Sequence, residues 1–272
     1  MTTHNLLEKE QRLFDVLRKF SPLMVAFSGG VDSTYLLYAA QRLLGDQIVA
    51  VTAVSPIHPA EETAAAKAFA RAKGIRQILV HMDPLSAPEF VKNSKNRCYI
   101  CKKQMFAVFF REAEKSGARY LAHGANLDDQ SDFRPGLQAA REMGVLGPLA
   151  EAGLTKQEIR DLSQTAGLET WAKPASGCLA TRIPYDVAIT REALALVEKA
   201  EKALADAGFS DCRVRYHGDL AKIEVRPDAI ERLAAPEIRS KIVKQMRQIG
   251  FLFVALDLEG YQSGRLNRPI QV

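Results

Sequence analysis

The chain has 272 residues, of which 47% are hydrophobic and 25% are charged. This length suits one large domain or two modest ones, and the composition is typical of a globular protein rather than a disordered, collagen-like or membrane-spanning chain. The net charge is +5, and the basic excess is spread along the chain instead of forming a tail. That sign suits an anionic substrate, but the charge pattern gives no indication of nucleic-acid binding.

The first twenty residues mix charges with leucines, so we expect an amphipathic helix rather than a signal peptide, and a cytoplasmic protein. Short apolar runs then alternate with helical patterns, which is typical of a parallel sheet with helices on both faces. The predicted strands are residues 23–27, 47–54, 76–82 and 119–125, and the predicted helices are residues 33–44, 60–73, 101–116 and, with a capping box, 155–166. We therefore predict a doubly wound α/β domain over residues 1–170.

A stretch with two prolines and no periodicity, residues 171–189, is interpreted as a linker. The pattern then changes to a helix ending near residue 208, two short strands, a helix ending near residue 249 and a strand at residues 251–256. This order predicts a small α+β domain over residues 190–272, for substrate binding or oligomerisation.

The motif SGGVDS at residues 28–33 lies between the first strand and the first helix predicted for the sheet. Gly29 and Gly30 allow close backbone approach, so successive amides and the hydroxyls of Ser28 and Ser33 can bind phosphate at the positive end of the helix. Asp32 would repel phosphate unless a divalent cation lies between them, so it implies Mg²⁺. The alternative is an ordinary strand-to-helix turn.

This loop resembles the nucleotide loop of the PP-loop ATP pyrophosphatases, which adenylate a substrate and release pyrophosphate. The segment HGANLDD, residues 123–129, is similar to the GTNxDD segment of that superfamily, and it follows the fourth predicted strand, where ligands bind in parallel sheets. The resemblance implies magnesium or ribose contacts at Asp128 and Asp129. It further implies nucleotide contacts at Gly124, Asn126, Asp129 and Arg134. The alternative is an Asx-rich turn with solvated acids.

Cys98 and Cys101 form a C-x2-C pair, and Cys178 lies in the linker. Two thiolates at this spacing can bind one metal ion or one edge of a cluster, and Cys178 is a third ligand if the linker folds back over the strand ends. Three thiolates suit a [4Fe-4S] cluster with one open iron, whereas zinc would need a fourth ligand such as Cys212 or a histidine. The alternative is a pair of buried apolar thiols, but the basic residues beside the pair favour thiolates.

Five segments span nearly the whole chain and together resemble the LarE-type ATP-dependent sacrificial sulfur transferases: SGGVDS, RCYICK, ASGCLATRIPY, RVRYHGDLAKIEV and DLEGYQSGRLN. The resemblance implies adenylation of a carboxylate of pyridinium-3,5-dicarboxylate mononucleotide and its conversion to a thiocarboxylate. That reaction serves synthesis of the nickel-pincer cofactor of lactate racemase. The resemblance also implies a homo-oligomer that works with a sulfur donor and a downstream nickel-inserting protein.

Family members with a single motif cysteine, at the position of Cys178, give up its sulfur and retain dehydroalanine. Members with three cysteines are thought to hold a [4Fe-4S] cluster that delivers an extra sulfide. This sequence has all three, so we expect the cluster version, although both chemistries would use Cys178.

Adenylation turns a carboxylate oxygen into a good leaving group, after which a thiolate at Cys178 or a cluster sulfide displaces AMP. Arg182 follows four residues later and is a candidate for lowering the pKa of that thiol or binding a substrate carboxylate.

Arg213 and Arg215 lie two apart on a predicted strand, so both face one side and can clamp a phosphate; a solvated strand face is the alternative. Glu201 and Glu224 are acid or metal candidates by family similarity, and otherwise plain surface carboxylates.

Three other functions compete with this interpretation. Some PP-loop relatives thiolate tRNA with a C-x2-C pair and a third cysteine, but the small, dispersed basic excess argues against tRNA. A non-catalytic nucleotide or iron-sulfur sensor is an alternative from another class. An amidating PP-loop ligase would leave the cysteines without a role.

Overall fold

The computed structural model describes residues 3–131, 134–174, 177–262 and 265–266. The chain forms two compact units, the first from Met1–Asp83 and Asn96–Ser176, the second from Pro84–Lys95 and Gly177–Val272. The break after residue 176 lies within the stretch interpreted as a linker. The sequence patterns did not indicate that a short segment from the middle of the first unit belongs to the second. The division of roles between the units stays a prediction.

A four-stranded parallel sheet forms the centre of the first unit. Its strands are β1 (Leu23–Ala26), β2 (Ile48–Val54), β3 (Gln77–His81) and β4 (Tyr120–His123), in the order β3-β2-β1-β4. The register pairs Ala26 with Val51 on one side and with His123 on the other, so β1 and β4 end level. The predicted doubly wound α/β fold is confirmed.

The helices in chain order are α1 (Thr3–Arg18), α2 (Val31–Leu44), α3 (Ala60–Ala72), α4 (Pro88–Val91), α5 (Arg97–Ser116), α6 (Pro135–Glu142), α7 (Pro148–Glu151), α8 (Lys156–Thr165), α9 (Arg191–Asp206), α10 (Ile230–Ala234) and α11 (Pro236–Ile249). Within the described ranges, none is both long and apolar enough to cross a membrane. Helices α2 and α5 begin earlier than predicted, at Val31 and Arg97.

Both faces of the first sheet are buried. Leu23 and Val25 pack into one apolar cluster with α1, α2 and α8, whereas Met24 packs into another with Phe106 and Phe109 of α5. Alternate residues of β1 therefore serve opposite layers, as in a strand covered on both sides.

The predicted capping box fixes the start of α8. The amide of Glu158 donates to Oγ1 of Thr155 at 3.3 Å, and the amide of Thr155 donates to Oε2 of Glu158 at 2.8 Å. Lys9 of α1 adds an ion pair to the same carboxylate, with Nζ 2.7 Å from Oε1. These contacts fix the position of Lys156, the first residue of α8.

The second unit contains a three-stranded sheet of β5 (Cys212–His217), β6 (Leu220–Val225) and β7 (Phe253–Leu256). Strands β5 and β6 are antiparallel, β6 and β7 are parallel, and β6 is central. One face packs Val214 and Ile223 against residues of α9 and α11, including Leu204 and Met246, in an apolar core. This confirms the predicted small α+β unit.

The inserted segment at residues 84–95 is fastened to the second unit by Asn93. This residue is fully buried at a positive φ of 57°. Its Nδ2 donates to the carbonyls of Pro184 at 2.7 Å and Val187 at 2.8 Å, and its own carbonyl accepts from the amide of Asp186 at 3.1 Å. One buried side chain and its carbonyl thereby satisfy three backbone groups of residues 184–187.

His123, the last residue of β4, packs edge-on against Phe106 with ring centroids 6.0 Å apart. Burial, reinforced by the positive charge of Lys102, lowers the pKa of His123 to about 4. The imidazole is therefore neutral at physiological pH.

This pKa predicts a pH dependence of stability. The unfolded chain binds the proton near pH 6.5 and the folded chain only near pH 4, so the free energy of unfolding falls as pH falls through this window and levels off below it. The contribution of this one group is at most about 3 kcal/mol. Urea unfolding at pH steps from 7 to 4 should show that the stability advantage of the wild type over His123→Gln shrinks by up to this amount. Parallel pH profiles would contradict the assignment.

Candidate active site

The phosphate loop is held in shape by its own serines. The hydroxyl of Ser33 donates to the carbonyl of Gly30 at 3.1 Å, accepts from the amide of Ser28 at 3.3 Å and lies 3.1 Å from the Ser28 hydroxyl. Gly29 has a φ of 77°, and a Cβ there would lie 3.1 Å from the Cβ of Ala66. The loop thus needs glycine at this position for both torsion and space.

Gly124 brings the end of β4 against this loop. A Cβ on Gly124 would lie 2.8 Å from the amide nitrogen of Ser33 and 3.1 Å from the carbonyl carbon of Asp32. Any side chain would therefore push the two segments apart. The structure brings the two predicted nucleotide motifs together at the carboxyl ends of β1 and β4.

Asp32 lies where the two motifs meet, and both of its oxygens have partners. Nδ2 of Asn126 donates to Oδ1 at 3.3 Å, and Nζ of Lys156 donates to Oδ2 at 2.5 Å. The amide of Lys156 also donates to Oδ2 of Asp128 at 2.8 Å. Lys156 therefore contacts both motifs. Its side chain binds Asp32 of the phosphate loop, and its backbone amide binds Asp128 of the segment after β4.

Asp129 and Asn126 close a turn at the cavity rim through reciprocal hydrogen bonds. Oδ2 of Asp129 accepts from the amide of Asn126 at 3.1 Å, its amide donates to Oδ1 of Asn126 at 3.2 Å, and its Oδ1 lies 2.5 Å from Nη1 of Arg134. A turn is thus present, as in the alternative interpretation, and Asp129 and Arg134 also line the cavity. Both interpretations of this segment are thus compatible.

A cavity of about 370 Å³ opens in front of the loop. We call it the nucleotide cavity; residues that line it include Ser28, Asp32, Thr52, Lys102, Gly124 and Asp129. Burial and the charge of Lys102 lower the pKa of His58, which lines it as well. With both of its histidines neutral, the positive charge inside comes from lysine and arginine, which suits a polyphosphate.

The donor set around Asp32 and Asp129 fits Mg²⁺. This ion binds proteins through one or two carboxylates and takes its other ligands from phosphate and water. Two carboxylates joined through Asn126 at the edge of a phosphate-sized cavity provide that set. Among the described residues, no group of three or more His, Cys, Asp and Glu side chains forms a metal-binding cluster by itself.

Cys98 and Cys101 lie at the start of α5, half-buried and outside any disulfide. Their spacing of three residues places both on one face of the helix, as a chelating pair requires. The structure thus brings these two cysteines together.

Cys178 belongs to the second unit, where Arg182 fixes its backbone. The Arg182 side chain is 2% exposed and makes two hydrogen bonds of 2.9 Å to Glu201. Its Nη1 donates to the carbonyls of Gly177 at 2.7 Å and Cys178 at 3.2 Å. Burial disfavours the charge of Arg182, but Glu201 more than offsets this and raises its pKa. The guanidinium thus holds the cysteine segment in place, while a direct role toward substrate stays a prediction.

Arg213 and Arg215 share the face of the second sheet opposite its apolar core. Nε and Nη2 of Arg215 donate to Oε2 of Glu224 at 3.0 and 2.8 Å, and its Nη1 donates to the carbonyl of Thr181 at 2.8 Å. The guanidinium of Arg213 lies 4.5 Å from the centre of the Tyr261 ring. The alternative of a solvated strand face is wrong, because both arginines are buried.

Glu201 and Glu224 are not plain surface carboxylates either. Glu224 is 1% exposed, and Glu201 accepts from Arg182 and from the amide of Val214 at 3.0 Å. The sequence missed this because each carboxylate is paired with an arginine that only the folded second unit brings beside it. Cys212 is buried nearby, and burial, followed by the charge of Glu201, raises its pKa to about 12, so this thiol is protonated and structural.

Two lysines at the nucleotide site were missed by sequence reasoning. Lys156 follows the recognised cap residue directly, and only the fold shows that its side chain reaches Asp32. Lys173, in the predicted linker, donates to the carbonyl of Gly29 at 3.2 Å and lies 3.9 Å from Glu62. No local pattern marks either residue, because their partners are more than a hundred residues away in the chain.

Lys156→Met is expected to weaken ATP binding about tenfold, because it removes a positive charge from a site built for phosphate and leaves Asp32 without its ion-pair partner. Titration calorimetry with ATP and Mg²⁺ measures this. Lys67→Met, an exposed lysine of α3 outside the cavity, is the matched control and should bind ATP as the wild type does. Equal affinity of the two variants would show that Lys156 has no part in nucleotide binding.

Arg182→Met is expected to destabilise the protein by about 3–5 kcal/mol, because it leaves the Glu201 carboxylate without its main partner. Urea unfolding followed by circular dichroism gives this value. Arg226→Met, which breaks an exposed pair with Asp228, is the control and should leave the unfolding midpoint unchanged. A midpoint for Arg182→Met equal to that of the control would rule out the structural role.

Comparison with known proteins adds to this geometry. Residues 2–147 match the family of the PP-loop domain. An uncharacterized protein of Synechocystis sp. is 42% identical over 96% of this chain and 98% of its own length. The pyridinium-3,5-bisthiocarboxylic acid mononucleotide synthase of Lactiplantibacillus plantarum is 35% identical over 96% of this chain and 95% of its own length. An uncharacterized protein of Methanocaldococcus jannaschii is 28% identical over 90% of this chain and 92% of its own length. With a PP-loop domain over more than half its length and a synthase similar to it from end to end, the chain belongs to the LarE-type family of PP-loop proteins.

Proposed function

We propose that this protein is an ATP-dependent sulfur transferase that converts a carboxylate of pyridinium-3,5-dicarboxylate mononucleotide to a thiocarboxylate, for nickel-pincer cofactor synthesis. The observation that carries the proposal is the similarity to the Lactiplantibacillus synthase, which extends over 96% of this chain and includes both the phosphate loop and the Cys178 segment. The geometry of both segments supports the two halves of the reaction, activation by ATP and delivery of sulfur.

Activation takes place in the nucleotide cavity. The amides of the phosphate loop bind the departing pyrophosphate, and Lys156 supplies a positive charge beside it. Mg²⁺, held by Asp32 and Asp129, neutralises part of the phosphate charge when bound. Arg134, at the rim, orients Asp129 and contacts the triphosphate. These residues hold the α-phosphate where a substrate carboxylate can reach it.

Sulfur delivery depends on Cys178. Arg182 and Glu201 keep the backbone of this residue fixed, so the thiol is presented without the entropic cost of ordering a loop. In the sacrificial version the thiolate attacks the acyl adenylate and AMP leaves. Loss of the Cα proton of Cys178 with cleavage of its Cβ–S bond then leaves dehydroalanine in the chain, and the sulfur departs with the electron pair as the product thiocarboxylate.

We propose the cluster version for this chain, with Cys98, Cys101 and Cys178 as the ligands of a [4Fe-4S] cluster. The donor set fits, because Cys98 and Cys101 share a helix face and neither is in a disulfide. When bound, the cluster would supply an extra sulfide and make repeated turnover feasible. Cys212 is excluded from this set by its buried, protonated thiol.

We also propose that Arg213 and Arg215 bind the phosphate of the mononucleotide. Glu224 and Tyr261 hold the two guanidinium groups on one face of the sheet, so their positions are fixed before substrate arrives. A homo-oligomer, a sulfur donor and a nickel-inserting partner complete the expected cellular setting.

Iron and acid-labile sulfide, measured after anaerobic purification, test the cluster. We expect about four irons per chain in the wild type, and their loss in Cys98→Ala and in Cys178→Ala. Cys212→Ala is the matched control and should keep its iron. Absence of iron in the wild type after attempted reconstitution would return Cys178 to the sacrificial role, which mass spectrometry tests by looking for dehydroalanine at this position.

Pyrophosphate release on adding ATP and the mononucleotide tests the function itself, whichever sulfur source is used. No release with this substrate, together with salt-dependent tRNA binding, would favour a tRNA thiolase instead. No release with any acceptor would favour a nucleotide sensor.

A further inference from the structure

The phosphate loop has a front and a rear. Ser28 and Gly30 line the nucleotide cavity on the front, whereas Gly29 lines a second cavity, of about 400 Å³, on the rear. Residues of the segment 169–173, which we call the strap, also line this rear cavity. Loop and strap both belong to the first unit. Along the chain, the strap ends five residues before Cys178.

Lys173 connects the strap to the loop. Its Nζ donates to the carbonyl of Gly29 at 3.2 Å. The peptide bond between Gly29 and Gly30 is trans, so the amide of Gly30 points away from this carbonyl, and it donates to the hydroxyl of Ser28 at 3.4 Å. Within the described ranges, no other hydrogen bond joins the strap to the loop. Lys173 therefore fixes, from the rear, the direction of an amide on the cavity side of the loop.

The backbone of the strap is held by α8. Nη2 of Arg160 donates to the carbonyl of Lys173 at 2.8 Å, and its Nη1 donates to the carbonyl of Trp171. Thr34 of α2 and Thr170 of the strap both line the rear cavity, but neither hydroxyl has a hydrogen-bond partner among the residues that the structure describes. These hydroxyls supply no second polar link between loop and strap, so that link depends on Lys173.

Lys173 also balances a carboxylate at the edge of the nucleotide cavity. Glu62 of α3 lines the cavity, and its Oε1 lies 3.9 Å from Nζ of Lys173. Without the ammonium beside it, this carboxylate would repel the phosphates of ATP. Lys173 thus has two contacts that favour nucleotide binding, the hydrogen bond to Gly29 and the charge contact with Glu62.

We propose that Lys173 is a positioning residue that joins the phosphate loop to the strap, so that ATP binding orders the chain leading to Cys178. The hydrogen bond favours the loop conformation whose amides bind phosphate. Because such coupling is reciprocal, phosphate on the loop favours the hydrogen bond and hence the order of the strap. This inference rests on ATP binding, which is one part of the proposed function, and does not depend on the identity of the acceptor.

Trp171 reports on the strap, because it is the only tryptophan of the chain and is 40% exposed. Acrylamide quenching of its fluorescence measures how accessible it is. The nucleotide is α,β-methylene ATP with Mg²⁺, which cannot release pyrophosphate. In the wild type, this nucleotide should lower the quenching constant. Lys173→Met should lose that response even at saturating nucleotide, whereas Lys173→Arg, which keeps the charge and the donor, should retain it.

Titration calorimetry measures the same link through affinity. Lys173→Met should weaken binding of this nucleotide about tenfold. Adding Glu62→Gln to Lys173→Met should leave the affinity low, because the Gly29 carbonyl still lacks its donor. The matched control is Lys67→Met, an exposed lysine of α3, which should behave as the wild type in both measurements. The Lys173 side chain is 28% exposed, so Lys173→Met should keep the wild-type unfolding midpoint.

Three results would overturn the proposal. The first is wild-type affinity and quenching response in Lys173→Met. The second is weaker binding with an unchanged response, since Lys173 would then act on the nucleotide without the strap. The third is full recovery of affinity in the double variant, since Lys173 would then only neutralise Glu62.

Pyrophosphate release with ATP and the mononucleotide separates these failures from failure of the proposed function. If the wild type releases pyrophosphate while Lys173→Met binds and responds as the wild type does, the positioning role is wrong and the function stands. If the wild type releases none while affinity and quenching response depend on Lys173, the positioning role stands and the function is wrong.

Discussion

The close approach of Gly124 to the phosphate loop is the constraint on which the nucleotide site depends. With a backbone nitrogen only 2.8 Å from the place of a Cβ, the end of β4 and the start of α2 form one surface. That contact places Asn126 where it can bond both Asp32 and Asp129, and so it joins two motifs that lie almost a hundred residues apart. The positions of the two carboxylates at the edge of the nucleotide cavity depend on this one approach of backbones.

In the second unit, buried ion pairs hold the chain segments in one arrangement, whereas in the first unit a close contact at a glycine does so. Arg182 with Glu201, and Arg215 with Glu224, are ion pairs whose members are nearly excluded from water. Burying such pairs gains little stability over apolar packing, but leaving one partner alone is costly, so the pairs specify a single arrangement. Because both arginines also donate to backbone carbonyls of the Cys178 segment, that single arrangement fixes the backbone around Cys178.

Local patterns predicted the strands and the longer helices of this fold and the position of the phosphate loop between β1 and α2, because strands, caps and glycine turns are specified by neighbours in the sequence. The capping box of α8 is an example: its two partners are three residues apart, and it was predicted correctly. Lys156 stands one residue after that cap, yet its role was missed because its partner, Asp32, comes from another motif. The burial of Glu224 and the transfer of residues 84–95 to the second unit were missed for the same reason: each depends on contacts made only in the folded chain.

Cys178 and Cys212 differ in how deeply the folded second unit buries them. Cys212 lies in the apolar core of the second unit beside Glu201, and both influences hold its proton in place. Cys178 is half-buried, and Arg182 binds the carbonyl of this residue. A nucleophile that must meet an acyl adenylate needs this combination of fixed backbone and accessible sulfur. The sequence motif identified the candidate, and the burial of Cys212, which keeps its thiol protonated, is the physical reason to propose Cys178 rather than Cys212 for sulfur delivery.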